Sequence, residues 1–387
     1  MKGAALFIAI FALAVLIVPM VALSFDTAGP SGTPVQVHMP AAGQSAASTQ
    51  PDVPEAGPGP QQEFPITDMP GSEAEAEPPA DSEGQSLSGM SYNGVLEFKV
   101  YNQSTGKVDT VSLRDYVRGA VAAEMPVTFH PEALKAQAVA AHTFALHNHY
   151  EQQESTDPAL KGADFAADPQ NMLVYITEEQ AKAFYGEKGD EYWERICEAA
   201  DSVLTYVLEY EDEPIVAAYH AISAGQTEDA SNVWTGYAPY LQASESEGDL
   251  LAPDYETATV LPRDTVQNAL WTAYPSAELS DDPSEWFTGL MRSSSGYVTE
   301  LDVGGVELHG KDIRTLFDLR SHNMDIDYSA QSESFTFTVR GYGHGVGLSQ
   351  YGADFLARQG YTFDEILRNY YTGVTLKKIA LEDGAQV

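Results

Sequence analysis

The chain has 387 residues, with 57 acidic against 20 basic side chains and a formal net charge of −37 at pH 7. That balance argues against a nucleic-acid binder, which needs a basic face to neutralise phosphates. The single cysteine, Cys197, excludes an internal disulfide framework and the multi-thiolate zinc patterns.

At the amino terminus, Lys2 precedes an uncharged apolar run of about 22 residues, enough for a helix to cross a ~30 Å hydrocarbon core. The stretch VPMVALSF is a poor small-x-small cleavage site, so residues 1–25 are predicted to be an uncleaved transmembrane anchor rather than a secretory signal. Lys2 is the only flanking cation, and the positive-inside bias then puts everything after Phe25 beyond the membrane. The expected location is the cell membrane, single-pass, with the bulk of the chain outside the cytoplasm. Residues 26–91 contain acidic side chains but no Lys or Arg, and are rich in Pro, Gly, Ala, Ser and Glu. Such a segment buries too little apolar surface to offset the entropy of ordering. It is predicted to be a disordered, extended spacer holding a folded unit away from the bilayer.

Globular sequence runs from about 92 to 381, with a tail at 382–387. GVLEFKVYN and KVDTVSL alternate at strand period around a Gly-containing turn, which predicts an opening hairpin. Helical patterns follow from Leu113 to about Tyr150, interrupted at Pro126, and again in TEEQAKAFYGEKGDEYWERICEAADSVL. Within the latter, Cys197 reads as a buried structural thiol. Strand-like runs return in TYVLEYEDEPIVAAYHAIS, ELDVGGVELHG and SFTFTVRGY, and SQYGADFLARQG and FDEILRNYY read as closing helices. Helices and antiparallel hairpins without a strand-helix rhythm predict one α+β domain.

In LRDYVRGAVAAEMP the apolar stripe at helical spacing is Leu113, Tyr116, Val117, Ala120 and Val121, and the next place on it is Glu124. Pro126 disfavours helical geometry at Met125, leaving Glu124 in the last turn at the edge of the packed region. A second helix restarts with Pro131 at its first position, and alanines at 133, 136, 138, 140 and 141 allow another element to approach closely. Desolvation and the negative end of the helix dipole both raise the pKa of a carboxyl so placed, as a general acid requires. The plainer alternative is an ion pair between Glu124 and Lys135 or Arg118.

GYGHGVGLSQYGA carries alternating glycines at 341, 343, 345 and 347, which fits neither the dinucleotide fingerprint nor the Walker A spacing. It reads either as a strand-to-helix turn that only glycine permits, or as a bare backbone on which a sugar chain can lie with His344, Ser349 and Gln350 as polar contacts. His344 could bind substrate, orient Glu124, or be structural. His142, His147 and His149 share one helix at spacings that match no recognisable ligand set, and no HExxH occurs.

YVRGAVAAEMPVTFHPEALKAQAVAAHTFAL and GYGHGVGLSQYGA resemble the two signature stretches of the stage II sporulation protein D family, which includes the amidase-enhancer proteins of bacterial cell walls. YHAISAGQTEDASNVWTGYAPYL resembles a third, less specific segment. The resemblance implies a peptidoglycan-cleaving lytic transglycosylase acting on peptide-free (denuded) glycan strands during engulfment of the forespore, with Glu124 as catalytic acid and base. It also implies a cell-wall amidase, such as stage II sporulation protein P, as partner. The alternative within the same resemblance is a non-enzymatic module that enhances an amidase. Some members carry a zinc-binding His/Cys cluster in the third segment. Here His220 is present without the cysteines, so no cofactor is expected. The family pattern has Arg at His142 and Trp at Tyr342, and a histidine replaces the guanidinium charge only when protonated. The expected substrate contacts are Lys135, Gln137, His142, His220, Tyr342, His344, Ser349 and Gln350, with Arg340 as a further polar candidate.

Overall fold

The computed structural model describes residues 95–234 and 238–379, and the predicted anchor, spacer and tail lie outside them. Strands β1 (Glu97–Asn102) and β2 (Lys107–Ser112) form the expected antiparallel hairpin, with Glu97 opposite Ser112. Helix α1 (Leu113–Glu124) starts where the Ser112 hydroxyl accepts from the backbone N–H of Asp115, a cap that satisfies one otherwise orphaned donor. Its whole predicted stripe up to Val121 is buried. Met125 is extended, and Pro126 prevents the helix from continuing.

Helix α2 (Pro131–Glu154) has Pro131 at its first position and His130 as its cap, and its five predicted alanines are all buried. Small side chains let neighbours approach its axis from several sides, so α2 has no single apolar face. Strand β3 (Phe165–Ala167) adds to β1 in parallel. Helices α3 (Glu178–Tyr185) and α4 (Gly189–Ser202) divide the long predicted helical run, because Gly186 takes φ 59° between them. Cys197 on α4 is partly buried, and burial pushes its thiol up to about 11. Strands β4 (Tyr206–Tyr210) and β5 (Glu213–Pro214) form an antiparallel pair, and the very short β6 (Tyr219–His220) follows.

A second apolar core is built from residues 256–340: β7 (Glu256–Pro262), α5 (Arg263–Ala273), β8 (Phe287–Arg292), the hairpin β9 (Val298–Val303) and β10 (Val306–Leu308), α6 (Gly310–Leu316), β11 (Asn323–Ser329) and β12 (Ser334–Arg340). Trp286 stacks on Phe335 at 5.4 Å between ring centroids, among Val266, Leu270, Val298 and Ile313. The sequence pattern showed β9, β10 and β12 but not α5 or α6. The 11-residue α5 buries only Val266 and Leu270, a signal too sparse to register as a stripe.

The chain then returns to the first core. Strand β13 (Leu348–Ser349) pairs in parallel with β6, α7 (Gln350–Arg358) and α8 (Phe363–Tyr370) pack beside α2, and β14 (Thr375–Lys378) pairs with β4. The architecture is α+β, with small, mostly antiparallel sheets around a helical centre. Among the described residues no helix is long and apolar enough to cross a membrane.

Candidate active site

Glu124 closes α1 and is partly accessible. Its surroundings depend on Gly119, one turn back. A Cβ on Gly119 would lie 2.1 Å from the Ile176 carbonyl oxygen, so only glycine lets residues 174–176 cross the helix here. Ile176 N–H donates to the Gly119 carbonyl at 3.1 Å. Val174 is held at φ 75°, the left-handed region that a β-branched residue rarely adopts, and its backbone N–H is hydrogen-bonded to Glu124. The second partner is the side chain of Gln350, the first residue of α7. Gln350 also donates to Gln137 Oε1 on α2 at 3.4 Å, and the phenol of Tyr219 lies against Gln137.

Burial pushes the Glu124 carboxyl up to about 7, against the opposing hydrogen bonds from Gln350 and Val174. Tyr116 and Tyr219 are close enough to feel the Glu124 charge, and burial first, then that charge, raises both phenols well above their ordinary range. The buried Tyr116 hydroxyl has no hydrogen-bond partner among the described residues. The ion-pair alternative fails on geometry. Lys135 binds Glu132 at 2.6 Å, and Arg118 holds Asp201, its Nε donating at 2.9 Å. Among the described residues the hydrogen-bond partners of Glu124 are therefore an amide and a backbone N–H, not a cation.

The other expected contacts divide. Gln137 and Gln350 join the Glu124 network. His142 does not: it is buried against the backbone of Leu204 and Tyr206, and burial lowers its pKa to about 4, so it presents no positive charge at neutral pH. Arg340 is engaged by Glu256 at 3.0 Å and Asp325 at 2.9 Å. Lys135 is occupied by Glu132. His147 bonds the Pro214 carbonyl oxygen, and His149 bonds Asp164.

The glycine-rich loop joins the two cores. All four glycines from 341 to 347 have positive φ, and a Cβ on Gly347 would lie 2.1 Å from the Ala218 carbonyl oxygen. The loop therefore lies directly on β6. Tyr342 and Ile222 exchange both backbone hydrogen bonds, at 2.7 and 3.0 Å. His344 Nδ1 accepts from Val346 N–H at 3.1 Å, the ring also bonds the Tyr219 backbone, and it packs on Trp234 at 4.9 Å. Burial, followed by the charges of His220 and Arg314, drives its pKa well below the ordinary histidine range. Its polar partners are backbone groups, and Glu124 is not among them.

His220 lies 5.7 Å from His344 between ring centroids. Its Nδ1 bonds the Val346 carbonyl oxygen at 3.1 Å, and its buried Nε2 has no hydrogen-bond partner among the described residues. This cluster does not fit a zinc site: it lacks a thiol, and among the described residues no three His, Cys, Asp or Glu side chains converge on a metal position.

Two contributors were not visible in the sequence. One is Val174, whose backbone N–H acts regardless of side chain. The other is Asp249, fully buried in the turn Glu247–Leu251. Its Oδ2 accepts from Ser223 N–H at 2.9 Å and its Oδ1 from the Ser349 hydroxyl at 2.7 Å. Ser349 in turn caps α7, so Asp249 fixes the helix start from which Gln350 reaches Glu124. Burial raises the Asp249 carboxyl to about 6, opposed by hydrogen bonds from Ser223, Ser349 and Ser246. In ESEGDLLAP nothing separates it from a surface acid. Ser349, expected to touch substrate, is instead fully enclosed.

A sequence profile described as Stage II sporulation protein matches residues 101–210, a stretch that includes Glu124, Gln137 and Val174. Stage II sporulation protein D of Bacillus subtilis (strain 168) is 34% identical over 284 residues, covering 73% of this chain and 79% of its own length. The chain belongs to the stage II sporulation protein D family. The Bacillus amyloliquefaciens protein of the same name is also 34% identical, over 279 residues, 72% of this chain and 78% of that one. A more distant family relative is a Bacillus subtilis protein named Amidase enhancer, 25% identical over 309 residues, 67% of this chain and 40% of its own.

Proposed function

We propose that the protein is a membrane-anchored lytic transglycosylase, acting outside the cytoplasm on denuded peptidoglycan strands during forespore engulfment. One observation carries the reading: the Glu124 carboxyl is partly accessible, unpaired with any cation among the described residues, and held by burial near pKa 7. Such a group gives and takes a proton at neutral pH with similar ease.

The neutral surroundings favour this chemistry over ordinary hydrolysis. Usual glycosidases need two carboxyl groups flanking the bond. The groups around Glu124 are amides and phenols instead. In the proposed reaction protonated Glu124 gives its proton to the glycosidic oxygen as the C1–O bond breaks. The resulting carboxylate takes the proton of the muramic C6 hydroxyl, whose oxygen closes on C1. The products are a 1,6-anhydro-muramic end and a new free hydroxyl, with no water consumed. The nucleophile is already tethered to the reacting sugar, which removes much of the entropic barrier. Gln350 and the Val174 N–H supply stationary donors for the carboxylate, and the phenols of Tyr116 and Tyr219 stay protonated.

Denuded strands incubated with the protein should yield anhydro-muramic ends by mass spectrometry, and Glu124→Gln should abolish them while glycan binding stays within a few-fold. Normal cleavage by that variant would refute the assignment. The relative named Amidase enhancer supports a second reading, a module that stimulates a separate amidase. The net charge of −37 would suit a basic partner. Absence of anhydro ends together with stimulation of an added cell-wall amidase would select it.

A further inference from the structure

Although acids outnumber bases in this chain by 57 to 20, two arginines of the second core form no ion pair with a carboxylate among the described residues. Arg314 donates from Nε to the Leu319 carbonyl oxygen at 3.2 Å and feels Asp318 only as a more distant charge. Arg320 has a buried Nε with no hydrogen-bond partner among the described residues. Its guanidinium lies 4.4 Å from the centroid of the Tyr342 ring, and Tyr342 is 46% exposed. By contrast, Arg292 on β8 and Arg340 on β12 both reach Asp325 on β11. An unpaired guanidinium beside an exposed ring, in so acidic a protein, is placed to receive an anion from outside.

Its position relative to Glu124 follows from the backbone. Tyr342 is bonded to Ile222, three residues beyond Tyr219, and three extended residues span at most about 10 Å. Tyr351 connects the two places: it follows Gln350, packs on Phe129 at 4.9 Å, and feels the Arg320 charge. One strand and one loop thus link the Tyr219 phenol, which feels the Glu124 charge, to the Tyr342 ring beside Arg320.

We propose that Arg320, stacked on Tyr342, is a specificity-determining subsite for a carboxylate carried by the glycan strand next to the bond that Glu124 cleaves. The inference rests on the transglycosylase reading and adds to it a residue and a ligand chemistry. Guanidinium matches a carboxylate with two parallel hydrogen bonds, and the open face of a phenol ring suits a sugar. Two groups on peptidoglycan offer this chemistry. One is the lactyl carboxylate of a peptide-free muramic residue, which loses its charge when amide-linked. The other is a carboxylate of a stem peptide.

The test is calorimetric binding to the full chain carrying Glu124→Gln, so that ligands stay intact. The ligands are a peptide-free GlcNAc–MurNAc tetrasaccharide, its lactyl methyl ester, chitotetraose, and the peptide-bearing tetrasaccharide. The peptide-free strand should bind about tenfold tighter than the ester and chitotetraose, as expected for a charge-assisted bidentate pair. Adding Arg320→Gln should erase that difference, leave chitotetraose binding and thermal melting unaltered, and be only partly mimicked by Arg320→Lys. If the peptide-bearing strand binds tightest and loses most in Arg320→Gln, the subsite stands with the stem peptide as its source. Unchanged discrimination in Arg320→Gln overturns the subsite but not the transglycosylase reading. Failure of every tetrasaccharide to bind overturns both.

Discussion

Two acids with raised pKa values, one at each end of the same short path through Ser349 and Gln350, differ in how they are enclosed. Glu124 and Asp249 are both raised by burial, to about 7 and about 6. Asp249 is fully enclosed and bonded by Ser223 and Ser349, with Ser246 adding to them. Glu124 is partly open and has two partners, a backbone N–H and a side-chain amide. A raised pKa alone therefore does not mark the reactive group. Reactivity also requires access and incomplete hydrogen bonding, while a saturated carboxyl in a closed site serves as a structural clamp.

The largest expected effect tests that division directly. Glu124→Gln should lower cleavage by at least about 10²-fold, the lower end of what general acid–base catalysis contributes. Stability should move the other way. The folded pKa of Glu124 lies above its unfolded value of 4.5, so the fold pays no ionisation cost below that pH. As pH rises toward 7 the unfolded chain ionises first, and stability is lost to a plateau on the order of 3 kcal/mol. Glu124→Gln should therefore melt like the parent at pH 4 and above it at pH 8. Asp249→Ala should instead lose about 1–3 kcal/mol at pH 4, where neither carboxyl carries most of its ionisation cost, because the Ser223 N–H and the serine hydroxyls are left without their acceptor. Equal effects of the two substitutions in urea unfolding at pH 4 would erase the distinction.

A smaller effect is expected at Gly119. Alanine is the better helix former, yet its Cβ would meet the Ile176 carbonyl, and overpacking of this kind costs about 1–3 kcal/mol. Displacing residues 174–176 also withdraws the Val174 N–H, so the alkaline limb of the pH–rate profile should shift to higher pH. A stable Gly119→Ala variant with an unchanged profile would remove Val174 from the site. The smallest effect belongs to Gln350→Ala. Its hydrogen bond favours the Glu124 carboxylate, so its loss should raise that pKa further and move the alkaline limb upward without a large change in melting. NMR titration of Glu124 reads the shift directly, and a downward movement would contradict the geometry.

Much of this was legible in one dimension. The stripe from Leu113 to Val121 located Glu124, Pro126 and Pro131 marked the helix boundaries, and the alternating glycines marked a backbone-limited loop. The choice between readings of that loop was not legible. His344 and Ser349 could as well face a sugar as the interior, and only their partners, Val346 and Asp249, show that they face inward. His142 sits among alanines on α2, but no periodicity told which neighbour covers it, since α2 is enclosed on several sides.

The sequence by itself determined where α1 ends and α2 begins, and that a carboxyl would stand at an apolar edge, because these follow from local backbone geometry and side-chain spacing. Tertiary structure decided that Lys135 and Arg118 turn away to Glu132 and Asp201, that Val174 and Gln350 come to Glu124, and that Asp249 holds Ser349 from a distant turn. Those are contacts between residues up to 226 positions apart, as 350 − 124 shows for Gln350 and Glu124. Desolvation and hydrogen bonding act through space, and spacing along a chain does not encode which distant group will arrive.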